Sequence, residues 1–485
     1  MPARLPINDQ ALALLYHARS ATPFCSEDGE PCASVPASLD SRQVLALRSA
    51  AFRDWVTANF YAEYEAAPSP AAYRTALRTL EARARYGESP SQKVDIRLGF
   101  VGDPFLPSKI ILDLANASGD LVEITSEGWH TTPNLHHSFR QSPAMLPLPR
   151  PIESTTPGNQ SLDALTKLFG LDEATRACTL VWLTASLRPT GPYPMLVIRG
   201  AGGSGKSVLA RALRSIIDPS AAPIRRVPAS DREIPRLALQ NWVLTFDQVH
   251  RVPTKISDAL AAISSGDTLE IPQPDHRQPL VFQVARPIIL AAASDEAERA
   301  WVPPRSFSNR TLAIRLDPIS APRAEAALWA EFEALRPALV AALADTVVTA
   351  LRRIRDIDIP HVARFPDAAA WVAAAAPALG LTESAAVSAL TDPDAIWAGV
   401  NPLRDALDAL LGRSSVWTGE PATLLQRLRA IAPSSALPAN PRALTQAVAR
   451  LAGIELAAGK GARGESMLTV SRAGEARGQA AEVRL

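Results

Sequence analysis

The stretch Gly200–Ser207, GAGGSGKS, constrains this chain more than any other. It satisfies the pattern Gly-x-x-x-x-Gly-Lys-Ser/Thr throughout, with Gly200, Gly205, Lys206 and Ser207 at the required positions. Such a loop carries chemistry only when an apolar strand leads in and a helix leads out. PMLVIRG precedes it and SVLARALRSIID follows it, so both conditions hold and a chance glycine-rich loop is the lesser explanation. The glycines let successive backbone N–H groups turn inward around phosphates, and the positive end of the following helix adds to them. Gly200, Ala201, Gly202, Gly203, Ser204, Gly205, Lys206, Ser207 and Val208 therefore form the candidate nucleotide cradle. Lys206 is placed to neutralise β- and γ-phosphates and Ser207 to ligate Mg²⁺, so the expected cofactors are ATP and Mg²⁺.

Around the loop, from Gln160 to about Pro318, helical stretches alternate with short apolar runs such as LVIRG, WVLTF and RPIILAAAS. This alternation predicts an α/β domain with a mostly parallel sheet covered by helices, with the WVLTF strand beside the strand that leads into Gly200. TLEIPQ and PLVFQVA flank the turn PDHR and read as a hairpin. Upstream, residues 1–90 read as helical, with apolar spacing in QVLALRSAAFRDWVTANFYAEY and AAYRTALRTLEARAR. Residues 91–141 alternate instead (KVDIRLGF, SKIILDLAN, DLVEIT) and predict a small antiparallel β unit. The proline-rich segment 142–159 excludes regular helix and reads as a linker strapped to the next domain. Residues 319–400 form a helical region, and 401–485 run as three helices and two short strands.

Composition sets outer limits. A chain of 485 residues that is 47% hydrophobic can bury more than one core. A net charge of +1 advertises no global attraction to nucleic acid or membrane, so any such contact is local. Cys25, Cys32 and Cys178 make no disulfide framework, and the first two read as loop thiols. MPARLPINDQ lacks a signal-peptide pattern, and the apolar run Ala368–Leu381 is shorter than the ~20 residues a bilayer span needs. A cytoplasmic protein with no membrane partner is the expectation.

Asp247 ends the apolar strand WVLTF and is either a second Mg²⁺ anchor or an ordinary acid at a strand end. The phosphate loop upstream favours the first. Gln248 follows, where a glutamate that prepares water is the common residue. Arg310, in SFSNRTLAIRL, stands before another apolar strand, where an arginine either reaches the γ-phosphate of a neighbouring subunit or is a plain surface residue. A basic run (Arg199, Lys206, Arg211, Arg214, Arg225, Arg226, Arg232 against Asp218 and Asp231) suits further phosphate contacts, or more simply a solvated helix face.

Taken together, GAGGSGKS, LTFDQVHRVPTKISDALAAISSGD, RPIILAAAS and SNRTLAIRLDPI resemble the ATPase of phage and mobile-element replication proteins, relatives of superfamily 3 helicases within the AAA+ class. The likeness extends to both ends of the chain, and WTGEPATLL with NPRALTQAVARLAGI resembles a closing winged-helix module. The resemblance implies an ATP hydrolase acting on DNA as a homo-oligomer such as a hexameric ring. It makes Lys206 and Ser207 the Walker A residues, Asp247 the Walker B aspartate and Arg310 the arginine finger. Residues 1–150 show no acidic constellation or zinc cysteines, so primase activity is not expected. Three departures bear on rate and grip: Gln248 in place of glutamate, Ala291 where a polar sensor residue is usual, and a hairpin poor in aromatic and basic groups. The leading expectation is a helicase-like ATPase with slow basal hydrolysis. The alternative is a nucleotide-gated DNA-binding or regulatory ATPase without unwinding, and a small-molecule kinase is a third, less favoured reading.

Overall fold

A computed structural model describes residues 5–37, 41–89, 91–152, 158–249, 252–271, 280–293, 307, 309–319, 323–358, 364–391, 402–412, 416–431, 437–438, 440–449, 454–460 and 466–472. The chain divides into two compact units, residues 1–292 with 305–392, and residues 293–304 with 393–485.

The first unit begins with helix α1 (Ile7–His17), a three-stranded antiparallel sheet of β1 (Thr22–Cys25), β2 (Pro31–Pro36) and β3 (Arg42–Ala46), and helices α2 (Ala50–Tyr64) and α3 (Pro70–Tyr86). The expectation of an all-helical region over residues 1–90 is corrected here. The β1 and β2 runs are short and proline-bounded, and the apolar positions of RQVLA fit either period, which is the known ambiguity of short runs. Cys25 and Cys32 accordingly lie in paired strands rather than in a loop. Burial pushes the Cys32 thiol up to about 12. The helices begin where serines accept backbone hydrogen bonds, Ser49 from Phe52 N at 3.1 Å and Ser69 from Ala72 N at 3.2 Å. Leu14, Val35, Leu47, Phe52, Phe60 and Leu80 fill the space between helices and sheet.

The next strands, β4 (Leu98–Gly102), β5 (Pro107–Asp113), β6 (Asp120–Ile124) and β7 (Trp129–Pro133), form an antiparallel meander in sequence order. The proline-rich segment then lies along the following domain: Leu146 N donates to Pro219 O at 2.9 Å and Ala221 N to Ala144 O at 2.8 Å.

The α/β core contains α4 (Gly158–Leu168), α5 (Glu173–Ala185), β8 (Met195–Gly200), α6 (Lys206–Ile217), β9 (Arg225–Arg226), α7 (Glu233–Ala238), β10 (Leu244–Val249) and α8 (Thr254–Ser265). After the antiparallel pair β11 (Thr268–Ile271) and β12 (Leu280–Gln283) come β13 (Ile288–Ala293) and β14 (Thr311–Leu316). The turn between β11 and β12 lies outside the described residues. The sheet order is β14-β8-β13-β10-β9, with β14 parallel to β8 and β10 parallel to β13 and β9. Helical crossovers between these strands are the connections that parallel strands need. Strand β8 is buried along its whole length, as a strand covered on both faces must be. One expectation fails: β13 lies between β8 and β10, so the Asp247 strand is not beside the Gly200 strand. Sequence order gives no sign of this, because the crossover that returns to the middle of the sheet is long-range.

Helices α9 (Glu325–Arg353), α10 (Pro366–Ala375) and α11 (Glu383–Thr391) pack with α4 and α5. Helix α9 is long and apolar enough to cross a membrane, but Phe332, Leu339, Val340, Leu343 and Val347 are buried against protein. The second unit runs α12 (Pro402–Leu411), β15 (Val416–Gly419), α13 (Pro421–Ile431), α14 (Pro441–Val448), β16 (Ile454–Lys460) and β17 (Ser466–Arg472), with sheet order β15-β17-β16. Strand β15, VWTG, is one more than the sequence pattern suggested. Asn440 caps α14 by accepting from Ala443 N at 2.9 Å, and Leu444 and Val448 are both fully buried.

Candidate nucleotide site

Strand β8 delivers the loop at the end of the sheet where the connections change direction, to β9 on one side and from β13 to β14 on the other. Ligands of open α/β sheets bind in that crevice. Gly200, Gly203 and Gly205 all have positive φ, at 155°, 77° and 84°. Gly200 has no room for a side chain: a Cβ there would lie 2.4 Å from Ser204 Oγ and 2.6 Å from Leu316 O. Gly205 in the left-handed region immediately precedes helix α6 and so turns the loop into it. Ser204 is buried, while Lys206, Ser207 and Val208 are half-buried. Lys206 folds back over the loop, its Nζ donating to Gly200 O at 2.7 Å and Ala201 O at 2.6 Å and lying 3.5 Å from Ser204 Oγ. A cation held over carbonyl oxygens is poised for exchange onto a stronger, anionic acceptor.

One residue before the loop, Arg199 faces Arg315 in register across β8 and β14. Burial, and then the charge of Arg315, lowers Arg199 to about 10, which leaves it a cation at neutral pH. Two guanidinium groups thus lie side by side on the strands at the start of the loop.

Helix α6, which follows the loop, packs against both β8 and β10, the strand that carries Asp247. Asp247 is half-buried near the end of β10, and its Oδ1 accepts the backbone N–H of Gln248 at 2.8 Å. Gln248 is exposed and left-handed, with φ 55°, at a break in register between Phe246 and Val249. Non-glycine residues in this region carry local strain and cluster at functional sites. Nothing in the sequence signalled it, since glutamine has no preference for that conformation. On the neighbouring strand Ala291 is buried and offers no polar side chain.

Arg310 stands at the opposite end of β14. Thr311 pairs with Met195 and Leu316 with Gly200, so at ~3.3 Å per residue Arg310 lies well over 15 Å from the loop of its own chain. Its Nε donates to Ser265 Oγ at 3.0 Å. The basic run is not one surface. Arg214 is 1% exposed and bonds to Asp218 O, Ala222 O, Pro223 O and Asn241 Oδ1, and Arg199 is also buried. The solvated-face reading therefore fails for both residues, and the internal bonds of Arg214 also take it out of any phosphate contact.

Residues 162–394 match the family model described as "Actinomycete integrative conjugative element replication protein". The likeness to replication proteins of mobile elements is thereby shown over the span that holds the loop, Asp247 and Arg310. Among solved structures, the chain is similar to "SCCmec type IV Cch - active helicase", at 9% identity and a TM-score of 0.45, covering 93% of this chain and 93% of that one. It is also similar to "The A form apo structure of NrS-1 C terminal region-CTR", at 12% identity and a TM-score of 0.39, covering 97% of this chain and 100% of that one. No curated protein matches the chain.

Proposed function

We propose that this chain, similar over its α/β core to replication proteins of integrative conjugative elements, is an ATP-dependent, helicase-like ATPase that acts on DNA and hydrolyses ATP slowly on its own. The observation that carries this reading is the loop itself: three positive-φ glycines, one with no room for a Cβ, and Lys206 held over the loop mouth. Those residues fit a bound phosphate chain, because backbone N–H groups, a helix start and one lysine supply donors without a competing carboxylate side chain in the loop. Ser207 and Asp247 would hold Mg²⁺, which supplies charge neutralisation between the phosphates when bound. Lys206 would exchange its carbonyl contacts for phosphate oxygens.

Rate is set by what lies beside Asp247. Gln248 donates and accepts hydrogen bonds, so it orients a water molecule, but it takes no proton at neutral pH. Ala291 adds no polar contact. Phosphoryl transfer depends more on positioning and charge than on early proton removal, so these substitutions slow the reaction without ending it. Arg310 is too far from its own loop to act there, which supports a role in the site of a neighbouring copy and hence a ring. In the second unit, the order helix, strand, helix, helix, strand, strand supports a winged helix in which Arg442 and Lys460 meet DNA phosphates. Arg450 and Arg463, basic residues of the same segment, lie outside the described residues.

A second reading, a nucleotide-gated DNA-binding or regulatory ATPase without unwinding, is favoured by Gln248 and Ala291 together. Single-turnover hydrolysis by wild type, Gln248→Glu and Lys206→Ala tests both. The helicase-like reading expects tight, Lys206-dependent ATP binding and acceleration of one or more orders in Gln248→Glu, within the ~10²–10⁴-fold that general base catalysis supplies. Fast wild-type turnover that Gln248→Glu does not improve would show that another group activates the water. Duplex unwinding separates the two readings.

A further inference from the structure

Asp218, immediately after helix α6, is 2% exposed and is the meeting point of three elements. Its Oδ2 accepts the backbone N–H groups of Trp242 at 2.9 Å and Val243 at 3.1 Å, the residues that lead into β10. Its Oδ1 accepts Nε–H of Arg97 at 3.2 Å. Arg97 belongs to the N-terminal β unit, just before β4, and is fully buried. The rest of its guanidinium is also spent, Nη1 on Asp113 O and Nη2 on Leu146 O, each at 2.8 Å. Arg214, one turn earlier on α6, lies 3.9 Å from Asp218 Oδ2 and donates to Asn241 Oδ1 at 2.7 Å.

The backbone at Arg97 is left-handed, with φ 61°. A residue with a Cβ pays for that conformation, so the surrounding bonds must hold it there. They do: each guanidinium nitrogen is engaged, and the segment that supplies its Leu146 acceptor is itself tied down by bonds between residues 144–146 and 219–221. The result is a buried carboxylate whose charge is matched by an arginine from a different part of the fold. Removing Asp218 takes the counter-charge from a buried Arg97, and removing Arg97 leaves Asp218 with Arg214 at 3.9 Å, so either change is far costlier than losing a surface pair.

The elements joined at Asp218 are not arbitrary. Helix α6 starts with Lys206 and Ser207, and β10 carries Asp247 and Gln248 just before its last residue. A close-packed interior passes small shifts on rather than absorbing them. A displacement of α6 therefore moves the start of β10 and, through Arg97, the segments around residues 97 and 113.

We propose that Asp218 is a positioning residue that aligns the Asp247 strand with the phosphate-loop helix, and that Arg97 makes this alignment depend on the N-terminal β unit. The proposal rests on the reading of Gly200–Val208 as a nucleotide site. Nucleotide occupancy is then relayed to the N-terminal β unit, and the state of that unit in turn sets how well the magnesium position is formed.

The test uses the full chain with Arg97→Met, Arg97→Lys and Asp218→Asn. Fluorescent ADP is titrated without Mg²⁺, the Mg²⁺ needed for half-maximal ATP hydrolysis is measured, and amide exchange is followed at 96–98 and 112–114 with and without ATP. Expected are unchanged Mg²⁺-free ADP affinity and a half-saturating Mg²⁺ concentration raised by roughly 10–100-fold in Arg97→Met and Asp218→Asn, the range typical of residues that orient metal ligands. Arg97→Lys recovers part of the metal response. ATP slows exchange at 96–98 and 112–114 in wild type but not in Arg97→Met. If Arg97→Met does not fold, Asp218→Asn, of the same size, carries the test. Unchanged Mg²⁺ dependence with a retained exchange response overturns the proposal. So does a uniform loss of ADP and Mg²⁺ affinity that follows melting temperature. Nucleotide binding that survives Lys206→Ala overturns the underlying reading of the loop instead, and is recognised because it is seen in the wild-type background.

Discussion

Replacing Gly200 and Gly203 one at a time with alanine separates backbone strain from steric exclusion within a single loop. At Gly203 a Cβ meets nothing within 4 Å, and only the φ of 77° is unfavourable. Left-handed backbone costs a residue with a Cβ about 1–2 kcal/mol, so Gly203→Ala should lower ADP affinity by at most ~30-fold and shift melting by a few degrees. At Gly200 the added Cβ lies 2.6 Å from the Leu316 carbonyl and 2.4 Å from Ser204 Oγ. The carbonyl belongs to β14, which is paired with β8 along its length, and cannot simply move aside. Overpacking of about 1–3 kcal/mol adds to backbone strain of about 1–3 kcal/mol, so Gly200→Ala should lose roughly 2–6 kcal/mol between folding and binding. ADP titration by fluorescence and thermal melting, on the same samples, read the two parts. If Gly200→Ala binds and melts no worse than Gly203→Ala, the tight approach of the loop to β14 is wrong.

Arg310→Ala should abolish turnover while leaving ATP affinity near that of wild type, and mixing it with Lys206→Ala protein should restore activity; no rescue at any ratio would remove the shared site. An arginine finger is worth about 10³–10⁵ in rate, so even a small fraction of mixed interfaces is detectable. Deleting the residues after 400 should weaken DNA binding and flatten its dependence on salt, and unchanged affinity would assign the second unit to protein contacts. In native protein near pH 8, iodoacetamide should modify Cys25 before Cys32 or Cys178, because the latter two are buried and the Cys32 thiol is pushed up to about 12. Mass spectrometry of timed samples checks this, and a Cys32 rate equal to that of Cys25 would mean that β2 is exposed.

The backbone of Gly200–Ser207 was legible because glycine spacing dictates local conformation: Gly200, Gly203 and Gly205 are positions where φ turns positive. Three strands of the meander, β4 to β6, were legible for a similar reason, alternation within each strand, whereas β7 (WHTTP) has too few apolar residues to signal itself. What escaped is non-local. Sheet order depends on which crossover returns to the middle, and VIRG, LTFDQ and IILAA read alike whichever neighbours they have. Strands β1 to β3 escaped because prolines and short runs blur the period. The Arg97–Asp218 pair spans 121 residues of sequence, and only an arginine inside the apolar alternation VDIRLGF hinted at a buried charge. The conformation of Gln248 left no trace at all, since it is imposed by a register break between β10 and β13.

The proposed function requires a Lys206-dependent ATPase that works on DNA as an assembly. Phosphate release with and without single-stranded DNA, measured alongside native mass on the same preparation, tests it most directly. Expected are slow release from protein alone, clear stimulation by DNA, a mass several times that of one chain in the presence of ATP, and loss of stimulation in Lys206→Ala. A monomer whose phosphate release is indifferent to DNA would contradict it.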